Sequence, residues 1–473
     1  MKTMTEQTHE NPYVTPPLPR VFLKTALPII LMMLVSGSLN LVDAYFIGVF
    51  VGADGLAAVT AMFPLFMVLI ALSTWIASGF ASVMARLSGA GDHEAARNAY
   101  GQAITLSLFI AVVLMILFSL TGQSLALMSN NGNETLAAMS FTYMNIIILG
   151  SPLIFWLGIG ADSLRSEGHV GFMAIVSLVT TLGNGVMNYV FIVIMELGVA
   201  GSSYGTIAAQ VLALGAIWFF RRSDRNRLRV PLFAITTERS RWPEFLSLGA
   251  PSSLTYIGVA LTSAAILFSL QQWLPDSYAV TVSAYGVITR VMTFIFLPLL
   301  GLGLAMQSIV GNNVGAGAYQ RSNRSLCIAL AVALSYGLLT EALLWWLRAD
   351  IGLLFVADPS VADEVARLLP PVSLALFLLG PLMMINFYFQ SIGDARRAGI
   401  LSIAKTYLFA LPLVFILPLA WGEWGIWYAG PAAEFLALLL TSAILYQRAI
   451  GGNHRFGLLY KETDIELVKQ EAL

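Results

Sequence analysis

The sequence has little charge and almost no cysteine. Asp, Glu, Lys and Arg make up 11% of its 473 residues, whereas 58% of the side chains are hydrophobic. A soluble fold has too small an interior to hide so much apolar surface, which excludes a soluble globular enzyme, a disordered chain and a collagen-like fibre. The single cysteine, Cys327, excludes an intramolecular disulfide framework. The composition therefore indicates a polytopic membrane protein.

Common enzyme motifs are also absent. The sequence contains no GxxxxGK[ST], CxxC or HExxH pattern, and the four histidines lie outside the apolar segments. The net charge of −1 provides no general attraction to nucleic acid. We therefore expect no enzyme activity, no cofactor, no metal site and no nucleic-acid partner.

Twelve apolar segments are present, and most are long enough for a transmembrane helix, which needs about 20 residues. They lack the alternation of a membrane β-barrel, and lipid requires each backbone to satisfy its own hydrogen bonds, so we predict an all-α membrane protein. The first twenty residues lack the apolar core of a signal peptide, so the first segment is expected to be retained. The segments are 21–50, 56–86, 98–121, 135–162, 170–195, 198–220, 245–273, 278–312, 322–347, 361–391, 397–420 and 424–447.

The distribution of basic residues predicts the orientation. All but four of the 25 Lys and Arg residues fall in the two tails and in alternate connections, as the positive-inside rule requires of cytoplasmic segments. Both termini are therefore expected to be cytoplasmic, in a plasma membrane such as the bacterial inner membrane. The exceptions are Arg290, Arg348, Arg367 and Lys405.

The two halves of the chain resemble each other. GAGDHEAARN from Gly89 matches GAGAYQRSNR from Gly315, the RSEG that ends at Gly168 matches the QSIG that ends at Gly393, and LGVAG matches WGEWG. The offsets between the halves are 226, 225 and 224 residues. This repeat predicts two pseudo-symmetric six-helix lobes with a substrate site between them, as in many transporters. The predicted divisions are an N-terminal tail (1–20), N-lobe (21–220), linker (221–244), C-lobe (245–450) and C-terminal tail (451–473).

Asp43 is the most informative ionisable residue within a predicted helix. It has no Lys or Arg nearby in sequence, and a lone carboxylate in hydrocarbon favours binding a proton or a cation. The alternative is a structural carboxylate near the membrane interface. Asn184 and Asn188 are four residues apart and share a helix face, where they either join helices or line a polar site.

Other polar residues are weaker candidates for the substrate cavity. Asn40 precedes Asp43 in the same segment, and Arg290 either bonds backbone carbonyls between the lobes or places a charge in the cavity. Glu434 lies near mid-membrane as a structural or a cavity carboxyl, and Lys405 can extend towards the cytoplasm. Pro28 is a candidate hinge because proline removes a helix hydrogen bond.

The chain resembles the multidrug and toxic compound extrusion (MATE) family of secondary transporters from about residue 20 to 450. The resemblance rests on LPIILMMLVSGSLNLVDAYFIGVFVGADGLAAVTAMFP (27–64), on ARLSGAGDHEAAR, and on AYGVITRVMTFIFLPLLGLGLAMQSIVGNNVGAG (284–317). It implies twelve helices in two lobes around a central V-shaped cavity. It also implies export of cationic amphiphilic drugs or dyes in exchange for protons or sodium.

The resemblance assigns roles to particular residues. Asp43 matches the family's coupling aspartate, Asn184 is retained, Asn188 replaces an acid, and Thr206 matches a polar member of the same N-lobe site. Helices 7 and 10 lack the acids of NorM-like and eukaryotic members, so the chain looks more like the DinF-like branch. Without the second carboxylate, protons are favoured over sodium as the coupling ion.

The expected function is therefore that of a membrane antiporter with coupling at Asp43. The first alternative is a flippase for lipid-linked oligosaccharides or other lipids within the same superfamily, whose cavities tend to be more cationic. The second is a membrane receptor or scaffold that transports nothing. The two lobes make a monomer sufficient, in contact with the lipid bilayer and its substrates.

Overall fold

A computed structural model describes residues 11–130, 132–222, 234–356, 358–451 and 454–460. Within these ranges, the side chains of residues 38–45, 48, 53 and 454 are not described. The predicted cavity residue Asn40 and the predicted coupling residue Asp43 therefore lie on a described backbone, with side chains outside the described residues. Residues 223–233 of the predicted linker also lie outside them, and the division between the lobes stays a prediction.

The described residues are almost entirely helical. The α-helices are α1 (Leu18–Phe46), α2 (Ala53–Ala61), α3 (Phe63–Ala90), α4 (His93–Ser129), α5 (Glu134–Leu149), α6 (Ser151–Ser166), α7 (Val170–Asn188), α8 (Val199–Arg222), α9 (Trp242–Trp273), α10 (Tyr278–Gly315), α11 (Tyr319–Trp346), α12 (Arg348–Ile351), α13 (Pro359–Ser373), α14 (Leu376–Ser391), α15 (Ala395–Ile403), α16 (Leu411–Trp421) and α17 (Glu423–Gly451). Three π-helical segments continue or join helices: Ile47–Val51, Tyr189–Ile194 and Ala404–Ala410. A 3₁₀ turn covers Gly352–Leu354, and β1 (His454–Arg455) pairs antiparallel with β2 (Leu459–Tyr460).

The number of predicted spans is confirmed. Among the described residues, ten helices are long and apolar enough to cross a membrane, and there are twelve spans if each of two bent pairs counts as one. The bent pairs are α5 with α6, at 47°, and α13 with α14, at 46°. The second bend follows Pro370 and Pro371 and places Ala375 at a φ of 70°. Proline lacks an N–H and interrupts the helix there.

The structure adds detail to the second predicted segment, to the predicted C-terminal tail and to the helix that contains Pro28. The second segment is two helices, because α2 ends before Met62 and α3 begins with Pro64 in its first turn, a position that suits proline. Part of the predicted C-terminal tail packs against α14, where the Tyr388 hydroxyl donates to the carbonyl of Leu458 at 2.8 Å. Pro28 lies inside α1, which is continuous through it, so its role as a hinge stays a prediction.

The predicted repeat reappears in the backbone. Gly91 and Gly317 have φ values of 72° and 69°, Gly168 and Gly393 have 92° and 86°, and Gly198 and Gly422 have 58° and 57°. All six lie in the left-handed range that glycine adopts without a steric penalty. Each pair belongs to one of the three matched sequence landmarks. The landmarks therefore mark equivalent turns at equivalent helix ends in the two halves.

The halves meet closely near the start of α9. A Cβ atom at Gly79 would overlap the carbonyl oxygen of Phe245, and one at Gly249 would overlap that of Trp75. Glycine at these two positions lets the backbones of α3 and α9 touch. The contact lies towards the membrane side where α1 begins, which we call the terminus side.

Candidate functional site

Three of the predicted site residues form a hydrogen-bonded group between α7 and α8, which we call the amide cluster (Asn184, Asn188 and Thr206). The Nδ2 of Asn184 donates to Oγ1 of Thr206 at 3.0 Å, and the Nδ2 of Asn188 donates to Oδ1 of Asn184 at 3.3 Å. Asn188 is fully buried. The predicted proximity of these residues is therefore found in the structure, while their part in coupling stays a prediction.

Local sequence explains how this group forms. Asn184 and Asn188 share a face of α7 because they are four residues apart. Gly205 of α8 faces Asn188, and a Cβ atom there would overlap the Asn188 Oδ1 atom. The π-helical segment Tyr189–Ile194 follows immediately, and such segments are frequent at functional sites.

The backbone places residue 43 at the level of the amide cluster. Ser36 Oγ of α1 lies 3.5 Å from Thr181 Oγ1 of α7, and the π-helical segments that end the two helices also contact each other. The helices therefore run side by side in the same direction. Asp43 and Asn188 each lie seven residues beyond this contact, which is about two turns. The backbone thus brings the predicted coupling residue beside the predicted amides.

Glu434 and Lys405 form an ion pair inside the second half. Glu434 Oε1 of α17 lies 2.6 Å from Lys405 Nζ, at the start of the π-helical segment Ala404–Ala410. The exposed fractions of the two side chains are 15% for Glu434 and 30% for Lys405. Whether Lys405 extends towards the cytoplasm stays a prediction, and its ammonium pairs with a carboxylate of a neighbouring helix.

The alternative in which Arg290 bonds backbone carbonyls between the lobes is not found among the described residues. Arg290 is exposed on α10, and it has no hydrogen-bond or ion-pair partner within the described part of the chain. Within the described ranges, the buried arginines are Arg165 and Arg221. Arg165 forms an ion pair with Asp162 at 2.9 Å, and Arg221 forms one with Glu167 at 3.1 Å. Whether Arg290 lines a substrate cavity stays a prediction.

Arg165 joins the two halves on the terminus side. Its Nη1 donates to Ser308 Oγ at 3.1 Å and its Nη2 to Gln307 Oε1 at 3.2 Å, both on α10. Arg86 of α3 makes a second connection between the halves, an ion pair with Glu244 of α9 at 2.8 Å. A separation of the halves on this side would break both connections.

A segment of the predicted N-terminal tail crosses the same junction, and we call it the N-terminal strap (Asn11–Pro17). Asn11 Nδ2 donates to Asn312 Oδ1 of the second half at 3.0 Å and to the Ser88 carbonyl of the first half at 3.4 Å. Tyr13 is buried, and its hydroxyl donates to the carbonyl of Arg165. The cytoplasmic N-terminal tail over 1–20 stays a prediction, and this part of it packs against both halves. Sequence reasoning missed these contacts because the partners lie between 77 and 301 residues away along the chain.

Further bonds hold the strap to the second half. Asn313 Nδ2 donates to the Tyr13 carbonyl at 3.3 Å, and Arg321 Nη2 donates to it at 3.2 Å. Burial raises the pKa of the Tyr13 phenol well above its usual range. The Tyr13 phenol therefore keeps its proton and donates a hydrogen bond throughout the physiological pH range.

The chemistry available in these sites is hydrogen bonding and charge pairing. Across the described ranges, no group of three or more His, Cys, Asp or Glu residues could hold a metal ion. The amide cluster offers neutral oxygen and nitrogen groups, which can bond a carboxyl or contribute oxygens to a cation. The Glu434–Lys405 pair offers both signs of charge.

These features define a polytopic helical membrane protein built from two similar halves. A family model described as MatE matches residues 28–190 and 251–416, and the chain belongs to this family. The two matched stretches agree with the duplicated unit seen in the sequence. Family members are transporters, which confirms the prediction of a transporter rather than an enzyme. The resemblance to the MATE family is likewise confirmed, while the DinF-like branch stays a prediction.

Curated relatives match nearly the whole chain at low identity. The "Probable multidrug resistance protein YoeA" of Bacillus subtilis is 24% identical, over 92% of this chain and 96% of the relative. The "FAD transporter" of Shewanella oneidensis is 23% identical, over 91% and 93% respectively.

A solved structure has the same fold. It is described as an outward-facing conformation of a multidrug resistance MATE family transporter, and it matches with a TM-score of 0.83 at 22% identity. The match covers 98% of this chain and 99% of that one. The predicted all-α architecture is thereby confirmed.

Proposed function

We propose that the chain is a secondary active multidrug efflux antiporter that exports cationic amphiphilic compounds in exchange for protons. The proposal assigns coupling to Asp43 and the amide cluster, and it assumes a bacterial inner membrane with both termini in the cytoplasm. The single observation that carries it is the hydrogen-bonded group of Asn184, Asn188 and Thr206 at the level of residue 43. The printed name of the Bacillus subtilis relative, a multidrug resistance protein, supports the substrate class.

The amide cluster suits a site that binds a proton and a cation in turn. Its members are neutral, so they can bond a carboxyl group in either protonation state without fixing its charge. A cationic substrate is held best by a carboxylate, and protonation removes that attraction. A proton arriving at Asp43 would therefore release the substrate.

Protons are favoured over sodium by the composition of the site. Sodium prefers several oxygen ligands with negative charge, and position 188 provides an amide where an acid would add a second charge. Asn188 is also fully buried and engaged with Asn184. In the sodium alternative, the amide oxygens and one carboxylate would have to bind the ion without a second acid.

Alternating access requires movement on the terminus side. There the halves are joined by Arg165, by the Arg86–Glu244 pair and by the N-terminal strap. The proposal identifies this arrangement as the state closed to the cytoplasm. Opening to the cytoplasm would then require each of these connections to break.

The experiment is efflux of a fluorescent cationic dye from proteoliposomes under a pH gradient alone and under a sodium gradient alone. Wild type should move dye with the pH gradient, and Asp43→Asn should fall to the level of protein-free liposomes. Asp54→Asn, which neutralises an exposed acid of α2, is the matched control and should keep full activity.

Other outcomes would contradict specific parts of the proposal. Unchanged proton-driven efflux in Asp43→Asn would remove Asp43 from the coupling step. Efflux driven only by sodium would overturn the choice of ion. No flux under either gradient would favour the lipid-linked oligosaccharide flippase.

A further inference from the structure

Glu244 contacts one arginine on each side of the junction between the halves. Its Oε1 accepts a hydrogen bond from Nη2 of Arg86 on α3, in the first half, at 2.8 Å. Its Oε2 lies 3.5 Å from Nη1 of Arg241, the residue that immediately precedes α9. Each carboxylate oxygen therefore serves one arginine, and only the contact with Arg86 crosses the junction.

The carboxylate lies at the edge of the closest approach of the two halves. The backbones of α3 and α9 touch where Gly79 faces Phe245, the residue after Glu244. Glu244 is in the first turn of α9, whose 32 residues extend for about 48 Å and exceed a hydrocarbon core of about 30 Å. The side chains of Arg86 and Glu244 are 24% and 36% exposed. The ion pair is therefore a partly exposed contact at the end of the helices, where a separation of the halves on the terminus side would break it.

The equivalent position in the second half is closed without an ion pair. The repeat aligns Arg86 with Asn312 at an offset of 226 residues. Asn312 accepts a bond from Asn11 of the N-terminal strap at 3.0 Å and donates to the Ser166 carbonyl of the first half at 3.1 Å. One junction is thus closed by neutral amides and the other by charges. The effect of the charges can therefore be tested without changing the neutral junction.

Separation of the halves would part Glu244 from Arg86 but not from Arg241. Arg86 moves with α3 and would keep only the bond from its Nε to the Ser82 carbonyl of the same helix, at 3.3 Å. Arg86 has no second carboxylate partner among the described residues. Arg241 lies three residues before Glu244 and moves with it. Opening therefore changes the number of arginines at Glu244 from two to one.

The two arginines have opposite effects on this equilibrium. The attraction between Arg86 and Glu244 exists only in the closed state, and so does the repulsion between Arg86 and Arg241, which share one carboxylate. Arg86 therefore stabilises the closed state, whereas Arg241 favours the open one. We propose that Glu244 is the carboxylate of a cytoplasmic gate, bound by both arginines when the gate is closed and by Arg241 alone when it is open. The gate rests on the alternating access of the proposed function.

The test measures how fast a buried cysteine at the junction is modified in the full chain. Ser82 is buried, and its hydroxyl donates to the Gln390 carbonyl of the second half. Ser82→Cys in a Cys327→Ser background should react with a water-soluble maleimide only while the halves are apart. The rate is then proportional to the open population, even when that population is small. The protein is held in lipid nanodiscs, and modification is followed by mass spectrometry.

Opposite changes are expected for the two arginines. Arg86→Gln should raise the rate about two- to fivefold, the range for a partly exposed ion pair, and Arg241→Gln should lower it about twofold. Adding Arg241→Gln to Arg86→Gln should change nothing further, because the repulsion requires both arginines. Arg397→Gln is the matched control, since Arg397 pairs with Asp394 inside the second half. Its rate should match that of the background protein.

Two results would overturn the gate. One is an unchanged rate in Arg86→Gln. The other is a raised rate in Arg241→Gln together with a lower Tm, which would show that Arg241 only stabilises the start of α9. The assay needs no gradient and no dye, so failure of efflux in wild type would count against the proposed function while the modification rates still test Glu244.

Discussion

Asn11 and Asn312 are joined by a hydrogen bond of 3.0 Å across 301 residues of sequence. The same Asn11 amide reaches the Ser88 carbonyl of the first half at 3.4 Å. One side chain of the N-terminal strap therefore connects both halves where they would separate during transport. The strap is expected to favour the state that is closed on the terminus side.

Removing the side-chain bonds of the strap should shift this equilibrium. In Asn11→Ala with Tyr13→Phe, loss of bonds worth about 0.5–1.5 kcal/mol each should raise the open population roughly fivefold or more. Spin labels at Glu94 and Arg324, which are exposed in different halves, would report this as a larger long-distance fraction, in a Cys327→Ser background.

The control for the strap is Asn133→Ala. It removes an asparagine whose Oδ1 accepts only a local bond, from the Leu136 N–H at 3.1 Å. Its distance distribution should match wild type. A double variant that also matches wild type would show that the strap does not contribute to closure.

The strap should also be insensitive to physiological pH. Burial raises the pKa of the Tyr13 phenol above its usual value of 10.0, so the stabilising contact is complete below about pH 10 and is lost only as the pH rises towards the raised value. The label distances should therefore stay constant from about pH 6 to pH 9. A change of the distances within that range in wild type, absent in Tyr13→Phe, would contradict this.

The sequence contained enough to predict the repeat and the amide cluster. Gly91 and Gly317 each occupy a turn with a positive φ. Glycine suits such a turn, so the turn can be recognised from the residues around it. The same holds for Asn184 and Asn188, which share a helix face through their spacing. Thr206 was added through the family resemblance, since spacing alone does not show which helices are neighbours.

The parts that sequence reasoning missed are long-range. Lys405 and Glu434 belong to different helices, and their separate positions suggested an extended lysine and an isolated acid. Arg290 lies in an apolar segment, and the segment alone does not show that its side chain is exposed on α10. Contacts between helices and the exposure of single side chains depend on tertiary packing, which the hydrophobic periodicity of the sequence does not show.

Restoring an acid in the amide cluster should change the coupling ion. Asn188→Asp is nearly isosteric, and it places a second carboxylate beside the site. Charge-assisted coordination is about twice as strong as a neutral bond, so sodium-driven dye efflux should rise roughly tenfold. Efflux under a sodium gradient alone is the measurement. Asn386→Asp, which adds an acid to α14, is the control and should leave sodium-driven efflux at the wild-type level.

The close approach of α8 to Asn188 provides the sharpest structural test. In Gly205→Ala, the added methyl group would overlap Asn188 Oδ1, and either the asparagine or the helix must move. Overpacking of this kind costs about 1–3 kcal/mol, so the Tm should fall and proton-driven efflux should drop with it. Gly215→Ala lies on the same helix with open space around its Cβ position, and alanine is the better helix former by about 1 kcal/mol. That variant should therefore keep or raise the Tm at full activity. Equal behaviour of the two variants in thermal unfolding and dye efflux would mean that contact between α8 and Asn188 does not shape the site.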